Sequence, residues 1–426
     1  MKITFSPKNI FINFSIFLIT LQSLWYYVPV VSLFGSILLI LFAIFLLIET
    51  GSLSTKSFFF ISWRTGLFFL TLTFFGLIIS YLEITEIKFS RLLSFLLIPL
   101  LCEAIIRIGF DIIKTIKFSI KLHVLSFYVQ FVCFYIFGIT IDFVNMIFPH
   151  LESRMQGLTI FSRHIQRFCG FYDEPGTYVT FVSILTITIL SINKDSIKGV
   201  FLLLILLSMF LSLSSYGFIF GFIFLLIYFK EQIRNIFQSI NLKKISFRKA
   251  SSYNLIKLIF ISLIIIFFSY FIFEYISVRY FRMDHGGNFN PSGTLMSERG
   301  VDYRIQNINK IYDEFFNPFM FFKTFFGLSI IQGTNYSIAL VTYAHNDMGL
   351  IIYMFMYSGL SGTLIFIFWL FQIKPASWII WLLFIFILFS SKFSITFLTI
   401  AILAASFEKN KYLQINSSSN QGDFLK

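Results

Sequence analysis

The chain has 426 residues, 57% of them hydrophobic and 12% charged, with 62 Phe and a mean hydropathy of +0.84. A soluble fold of this length cannot hide so much apolar surface, which excludes an ordinary globular enzyme and implies an all-α polytopic integral membrane protein. The formal charge of +13 lies between apolar runs rather than on one basic module, so it points to orientation in a lipid bilayer and not to nucleic acid.

Runs long enough to cross a hydrocarbon core of roughly 30 Å occupy residues 9–29, 31–49, 58–80, 91–110, 122–143 and 175–192. The first has a basic start but no small-residue cleavage pattern before Pro29, and reads as a membrane helix rather than a removed signal. Residues 200–229 and 376–407 are each about 30 long, roughly 45 Å as one helix at 1.5 Å per residue. Lysines decide how such runs are used, because cytoplasmic loops collect Lys and Arg. Lys194 and Lys198 precede the first of these runs, and a basic segment, 230–257, follows it. Both ends are therefore expected inside, with a hairpin breaking near Ser214, Ser215 and Gly217. Lys374 on one side and Lys409 and Lys411 on the other make 376–407 a second hairpin, turning near Ser390 to Lys392. With 258–273 and 346–370, the expectation is a single transmembrane domain over 1–426 with about twelve helices and both termini cytoplasmic. Two large extracytoplasmic segments follow, 144–174 and 274–345.

These two segments prefer arginine, with Arg154, Arg163, Arg167, Arg279, Arg282, Arg299 and Arg304 against Lys310 and Lys323, whereas the inner side is mostly lysine. The guanidinium fork matches phosphate or carboxylate bidentately. Either these arginines pair with Glu152, Asp173, Glu174, Asp284, Glu298 and Asp302 to order the segments, or they hold an anionic ligand such as a lipid-linked diphosphate.

The first segment ends SRHIQRFCGFYDEPGTYVTFV, residues 162–182. Arg163 and Arg167 would share a face if helical, Gly170 permits a turn, and Pro175 suits a first helical turn. Asp173 and Glu174 then sit at a helix N-terminus, where they either cap or orient a sugar hydroxyl and accept its proton. The second segment ends AHNDMGLIIYMFMYSGLSG. Asn346 or Asp347 can cap the next helix, which leaves His345 as the natural general base. Within helices, Glu103 and Arg107 are four apart and would pair, and Arg64 would snorkel. Cys102, Cys133 and Cys169 imply no disulfide framework. No phosphate loop, metal-spaced cluster or nucleophile elbow stands out, and residues 25–30 carry no acid, so a metal-independent reaction with no cofactor is expected.

RFCGFYDEPGTYV, LSLSSYG, ERGVDYR, FFGLS and AHNDMGLIIYMFMYSGLSG, set on this topology, resemble the O-antigen polymerase (Wzy) and O-antigen ligase superfamily. The resemblance implies a glycosyltransferase of the bacterial cytoplasmic (inner) membrane. Its donor would be a polyprenyl-diphosphate-linked oligosaccharide, joined into O-antigen or capsular-type polysaccharide at the outer face. Its implied partner is a chain-length-regulating co-polymerase. It carries diphosphate binding to Arg167 and to Arg299 or Arg304, and the base to His345; Arg282 with Gly293 satisfies an Arg-x10-Gly spacing of some polymerases. Twelve residues separate Asn346 from Gly359 where ligases have nine, and the hairpin reads Ser215-Tyr216 where relatives often have Ser-Arg. The alternatives are a ligase moving the finished glycan to an acceptor and a flippase for the lipid-linked unit.

Overall fold

The computed structural model describes residues 7–21, 30–49, 63–82, 87, 89–108, 111–149, 153, 155, 158–160, 163–193, 196–197, 200–214, 216–225, 321–327 and 350–372. Helices dominate them: α1 (Pro7–Thr20), α2 (Val30–Glu49), α3 (Trp63–Leu82), α4 (Phe89–Arg107), α5 (Ile112–Phe137), α6 (Phe143–Ile147), α7 (Pro175–Ile192), α8 (Val200–Leu211), α9 (Tyr216–Leu225), α10 (Phe321–Phe326) and α11 (Leu350–Gln372). Two of these, over Thr65–Leu82 and Ile112–Phe137, are long and apolar enough to cross a membrane. The expected helices at 258–273 and 376–407, and the basic segment 230–257, lie outside the described residues.

Helix ends follow local chemistry more than hydropathy. Pro175 starts α7 at the residue the sequence indicates, since its fixed φ and missing N–H suit a first turn. The fifth helix departs from expectation by starting at Ile112 and stopping at Phe137 rather than running over 122–143. At its start the Asp111 side chain accepts from Lys114 N at 3.1 Å, which holds a lysine-bearing turn in the helix despite its polarity. At its end Gly138 N and Ile139 N return to Phe134 O and Cys133 O, both at 3.0 Å, the paired bonds that close a helix on a left-handed residue.

Arg163 and Arg167, which would share a face if helical, are not on a helix: Arg163 belongs to a strand pair and Arg167 follows it. β1 (Leu158–Ile160) runs antiparallel to β2 (Arg163–Ile165), with Ile160 opposite Arg163. Thr159, Ile160 and Ile165 are β-branched and favour the extended chain.

Side-chain pairs fix the direction of four helices. Lys121 Nζ lies over the Phe201 ring, and Tyr128 Oη donates to Leu204 O at 2.8 Å, so α5 and α8 ascend together. Tyr178 Oη donates to Ser208 Oγ at 2.7 Å, and the short 193–199 link makes α7 antiparallel to α8. The break after α8 is a true reversal: Leu213 is left-handed (φ 50°) and Phe210 packs on Phe218 at 6.1 Å and against Gly221. This is the hairpin expected from the lysines.

The hydrophobic core continues where α3 meets α11. Trp369 stacks on Phe68 at 5.1 Å and donates from Nε1 to Thr65 Oγ1 at 3.2 Å, while Leu72 meets Gly362, so the two helices are antiparallel. The helix expected unbroken over 346–370 is interrupted at Gly359 (φ 64°, ψ −168°). The end of α10, Phe325 to Gly327, crosses it there. A β-carbon on Gly327 would lie 2.5 Å from Gly359 N, and one on Gly359 would lie 2.4 Å from Phe325 O. Backbone meets backbone, so both positions need glycine for space and for positive φ. Ser361 Oγ secures the crossing by donating to Phe325 O at 2.9 Å.

Glu103 and Arg107 form the expected ion pair in α4. All three cysteines are free thiols.

Candidate functional site at the start of α7

The segment 166–174 is held onto α5 by two polar residues one heptad apart. Gln130, 1% exposed, donates through Nε2 to Ile141 O at 3.0 Å and to Gly170 O at 3.2 Å. Its Oε1 accepts from Cys169 N at 3.2 Å and Gly170 N at 2.7 Å. One side chain thus satisfies four backbone groups that an apolar helix face would otherwise leave unpaired. Gly170 is left-handed (φ 60°), and a β-carbon there would meet Ser126 Oγ at 2.6 Å. Phe168 fills the aromatic pocket made by Phe127, Phe131, Phe134 and Tyr135.

His123 is fully buried on α5 among Phe17, Phe171 and Tyr172. Its Nε2 lies 2.9 Å from Thr20 Oγ1 and 3.2 Å from Tyr172 Oη. Both hydroxyl hydrogens are directed to carbonyls, Thr20 Oγ1 to Phe17 O at 2.7 Å and Tyr172 Oη to Thr20 O at 3.1 Å. The imidazole Nε2 thus sits between two side-chain hydroxyl oxygens. Burial holds the Tyr172 phenol well above its ordinary range, with Tyr178 adding to the rise, so it stays a neutral donor.

Arg167 and Asp173, singled out in the sequence, lie beside this anchor. Arg167, Asp142 and Asp173 all lie close enough to Cys169 to act on its thiol, which burial pushes well above its ordinary value with the two carboxylates adding. Asp142 is mainly structural, accepting from Val144 N (2.9 Å), Asn145 N (3.1 Å) and Ser153 N (2.8 Å). Glu174 occupies the N-cap position of α7 with extended backbone (φ −148°, ψ 154°), yet its side chain makes no capping hydrogen bond. Capping therefore does not account for Glu174.

The tip of the α8–α9 hairpin arrives at the same place. A β-carbon at Gly176 would lie 3.6 Å from Glu174 Oε1, 3.6 Å from Tyr216 Cδ2 and 3.7 Å from Ser214 Oγ. Thr177 Oγ1, one residue further, is buried without a hydrogen-bond partner. Asp142, Asp173 and Arg167 thus gather around Cys169, and Glu174, Ser214 and Tyr216 around Gly176.

Arg163 is placed by its backbone in β2, beside the anchored segment. His345, Asn346, Asp347, Arg282, Arg299 and Arg304 lie outside the described residues. Sequence reasoning passed over His123 and Gln130, and read Ser214 and Tyr216 only as parts of the hairpin. The available signal was a buried-type polar residue interrupting an apolar run. Among the described residues no group of three His, Cys, Asp or Glu could hold a metal ion. No protein-family model, curated protein or solved structure matches the chain.

Proposed function

We propose that the chain is a multi-pass membrane glycosyltransferase that polymerises polyprenyl-diphosphate-linked oligosaccharide repeat units into O-antigen or capsular-type polysaccharide. The observation that carries this reading is the meeting of FYDEPG and SLSSYG at the start of α7, where Glu174, Ser214 and Tyr216 converge. These are two of the stretches on which the resemblance rests, and they lie about 40 residues apart in the chain.

Membrane residence is supported by large apolar side chains left exposed along α2, α3, α5 and α11, such as Phe45 (58%), Phe74 (62%), Leu125 (59%) and Phe368 (66%). The alternation of crossings among the described helices is supported by direction. Counted from a cytoplasmic N-terminus, α5 and α8 should ascend together, α7 should descend beside α8, and α3 and α11 should oppose, as their side-chain pairs have it. In that frame the start of α7 and the hairpin tip share the outer face, away from nucleotide donors.

In the reaction an acceptor hydroxyl attacks the anomeric carbon of the donor glycan. The new C–O bond forms as the bond to the lipid diphosphate breaks, with inversion. His345 or Glu174 takes the hydroxyl proton. Arg163, Arg167, Arg282, Arg299 and Arg304 neutralise the departing diphosphate, with Asp173, Asn346 and Asp347 in support.

The test is surface polysaccharide made in a deletion host. Glu174→Gln, Arg167→Lys and His345→Ala, each at wild-type level in the membrane, should reduce the ladder to single repeat units. Full ladders from all three would overturn the assignment. Normal polymer retained on its lipid after deletion would make the chain a ligase, and units trapped on the inner leaflet would make it a flippase.

A further inference from the structure

We infer that Ser119 and His123, one turn apart on the buried face of α5, hold an internal water molecule that bridges Ser119 Oγ to His123 Nδ1. That water fixes the imidazole against which the segment before α7 is anchored. The site stands apart from the polymerase reading, since neither residue takes part in that reaction.

The buried face of α5 carries polar side chains three or four residues apart: Thr115, Ser119, His123, Ser126 and Gln130, between 0% and 4% exposed. Three of them are satisfied within the fold. Thr115 Oγ1 donates to Asp111 O at 3.2 Å, Ser126 Oγ donates to His123 O at 2.8 Å, and Gln130 meets the four backbone groups described above. On the other two, Ser119 Oγ and His123 Nδ1 are buried with no hydrogen-bond partner among the described residues. The Ser119 hydroxyl forgoes the bond to a carbonyl one turn back that Thr115, Thr180 and Thr188 make. The two open atoms on this face are therefore neighbours along the helix.

Side chains four apart in a helix have β-carbons about 5–6 Å from each other, and a helical side chain covers the turn before its own Cα. One water between Ser119 and His123 spans that separation with two ordinary hydrogen bonds of about 2.8 Å each. A polar atom buried without a partner costs its full desolvation, and a buried water that meets two such atoms removes that cost for both. Water serves whichever ring nitrogen carries the proton, accepting from Nδ1–H or donating to the Nδ1 lone pair. A metal ion is not served, because no group of three His, Cys, Asp or Glu lies together among the described residues. With Nδ1 met, the ring is held at both edges, since Thr20 Oγ1 and Tyr172 Oη stand 2.9 and 3.2 Å from Nε2. The hydrogen bond made at one ring nitrogen governs the protonation of the other. Ser119 thereby acts, through the water and the ring, on the segment that carries Tyr172.

The test uses the full-length chain in lipid bilayers, with His150, His164, His285 and His345 replaced by Gln so that His123 alone carries the nitrogen label. Water-to-protein polarisation transfer in solid-state NMR reads whether a water touches the ring. The same spectra of the chain with all 5 histidines labelled guard against a misfolded background. Transfer to the His123 ring should appear at short mixing times, before magnetisation spreads through the protein. Ser119→Ala, which removes one of the two partners, should cut it roughly fivefold to tenfold, the occupancy that one ordinary hydrogen bond supplies. Ser119→Val, whose methyls take the place of the water, should abolish the transfer and move the Nδ1 resonance. Ser126→Ala lies on the same face with its hydroxyl already bonded to His123 O, and should leave the transfer unaltered. Should Ser119→Val fail to fold, Ser119→Ala decides. No short-time transfer in the parent chain, transfer undiminished by the Ser119 variants, or an equal loss with Ser126→Ala would each overturn the site. Polysaccharide ladders made by these variants bear on the polymerase reading alone.

Discussion

Two junctions in this protein solve the same problem in opposite ways. Between α5 and α7, an irregular segment is brought against a helix by polar side chains, with Gln130 meeting four backbone groups and His123 bridging Thr20 and Tyr172. Where α10 ends at Gly327, its backbone is brought against the kink in α11 by removing side chains altogether, at Gly327 and Gly359. Irregular backbone in apolar surroundings must have its N–H and C=O groups met. The first junction imports the partners and the second lets backbones touch. The polar junction can be weakened by degrees, whereas the glycine crossing tolerates no atom more.

That contrast orders the expected mutational effects. Gly359→Ala should be the most damaging, because it combines a left-handed backbone with a β-carbon 2.4 Å from a carbonyl; a loss on the order of 4 kcal/mol is expected, read as thermal unfolding of the detergent-solubilised chain. Gln130→Leu should cost about 3 kcal/mol by the same measurement, since it strands several buried polar groups at once. Gln130→Glu keeps the acceptor and loses the donor, so it should fall between. If Gln130→Leu matches wild type, the segment is held by Phe168 and its aromatic neighbours instead.

Gly170→Ala should cost about 2 kcal/mol through its left-handed backbone, and the double variant with Ser126→Gly should recover part of this by removing the hydroxyl 2.6 Å away. Cys169, buried with its thiol pushed up, should resist maleimide at neutral pH while half-buried Cys133 reacts first, as mass spectrometry of labelled protein would report. Labelling of Cys169 at the rate of Cys133 would mean that the anchored segment opens.

The smallest effect belongs to Asp111. Burial raises its carboxyl, but the Lys114 amide and ammonium outweigh burial and hold it below its ordinary value. Its contribution is therefore present above the ordinary carboxylate range and disappears as pH falls through the lowered value. At this exposed position Asp111→Asn should cost no more than about 0.5 kcal/mol at pH 7 and less in acid.

Much of the fold was legible in the sequence where chemistry is local. Pro175 marked the start of α7, and the lysines flanking 200–229 required the reversal seen at Leu213. The ends of α5 were misjudged because hydropathy is blind to a cap. Asp111 and Gly138, both polar or small, set those ends through bonds within one turn. The strand pair was missed because four-residue spacing of Arg163 and Arg167 fits a helix while the β-branched neighbours oppose one. Of the candidate site, Asp173, Glu174 and Arg167 were found because charge is rare in an apolar chain. Gln130 and His123 were not, since their partners lie roughly 40 to 100 residues away in sequence. The roles of Gly327 and Gly359 are legible only as a pair.

The contact of Trp369 with Thr65 closes a separation of 304 residues. Ribosomes add about 5–20 residues per second, so α3 is made roughly 15 to 60 seconds before its partner exists. Through that interval the Phe68 and Phe69 face that Trp369 later covers must be occupied by α4, by lipid or by the insertion machinery. Biogenesis of this protein is thus a matter of holding a finished helix in waiting.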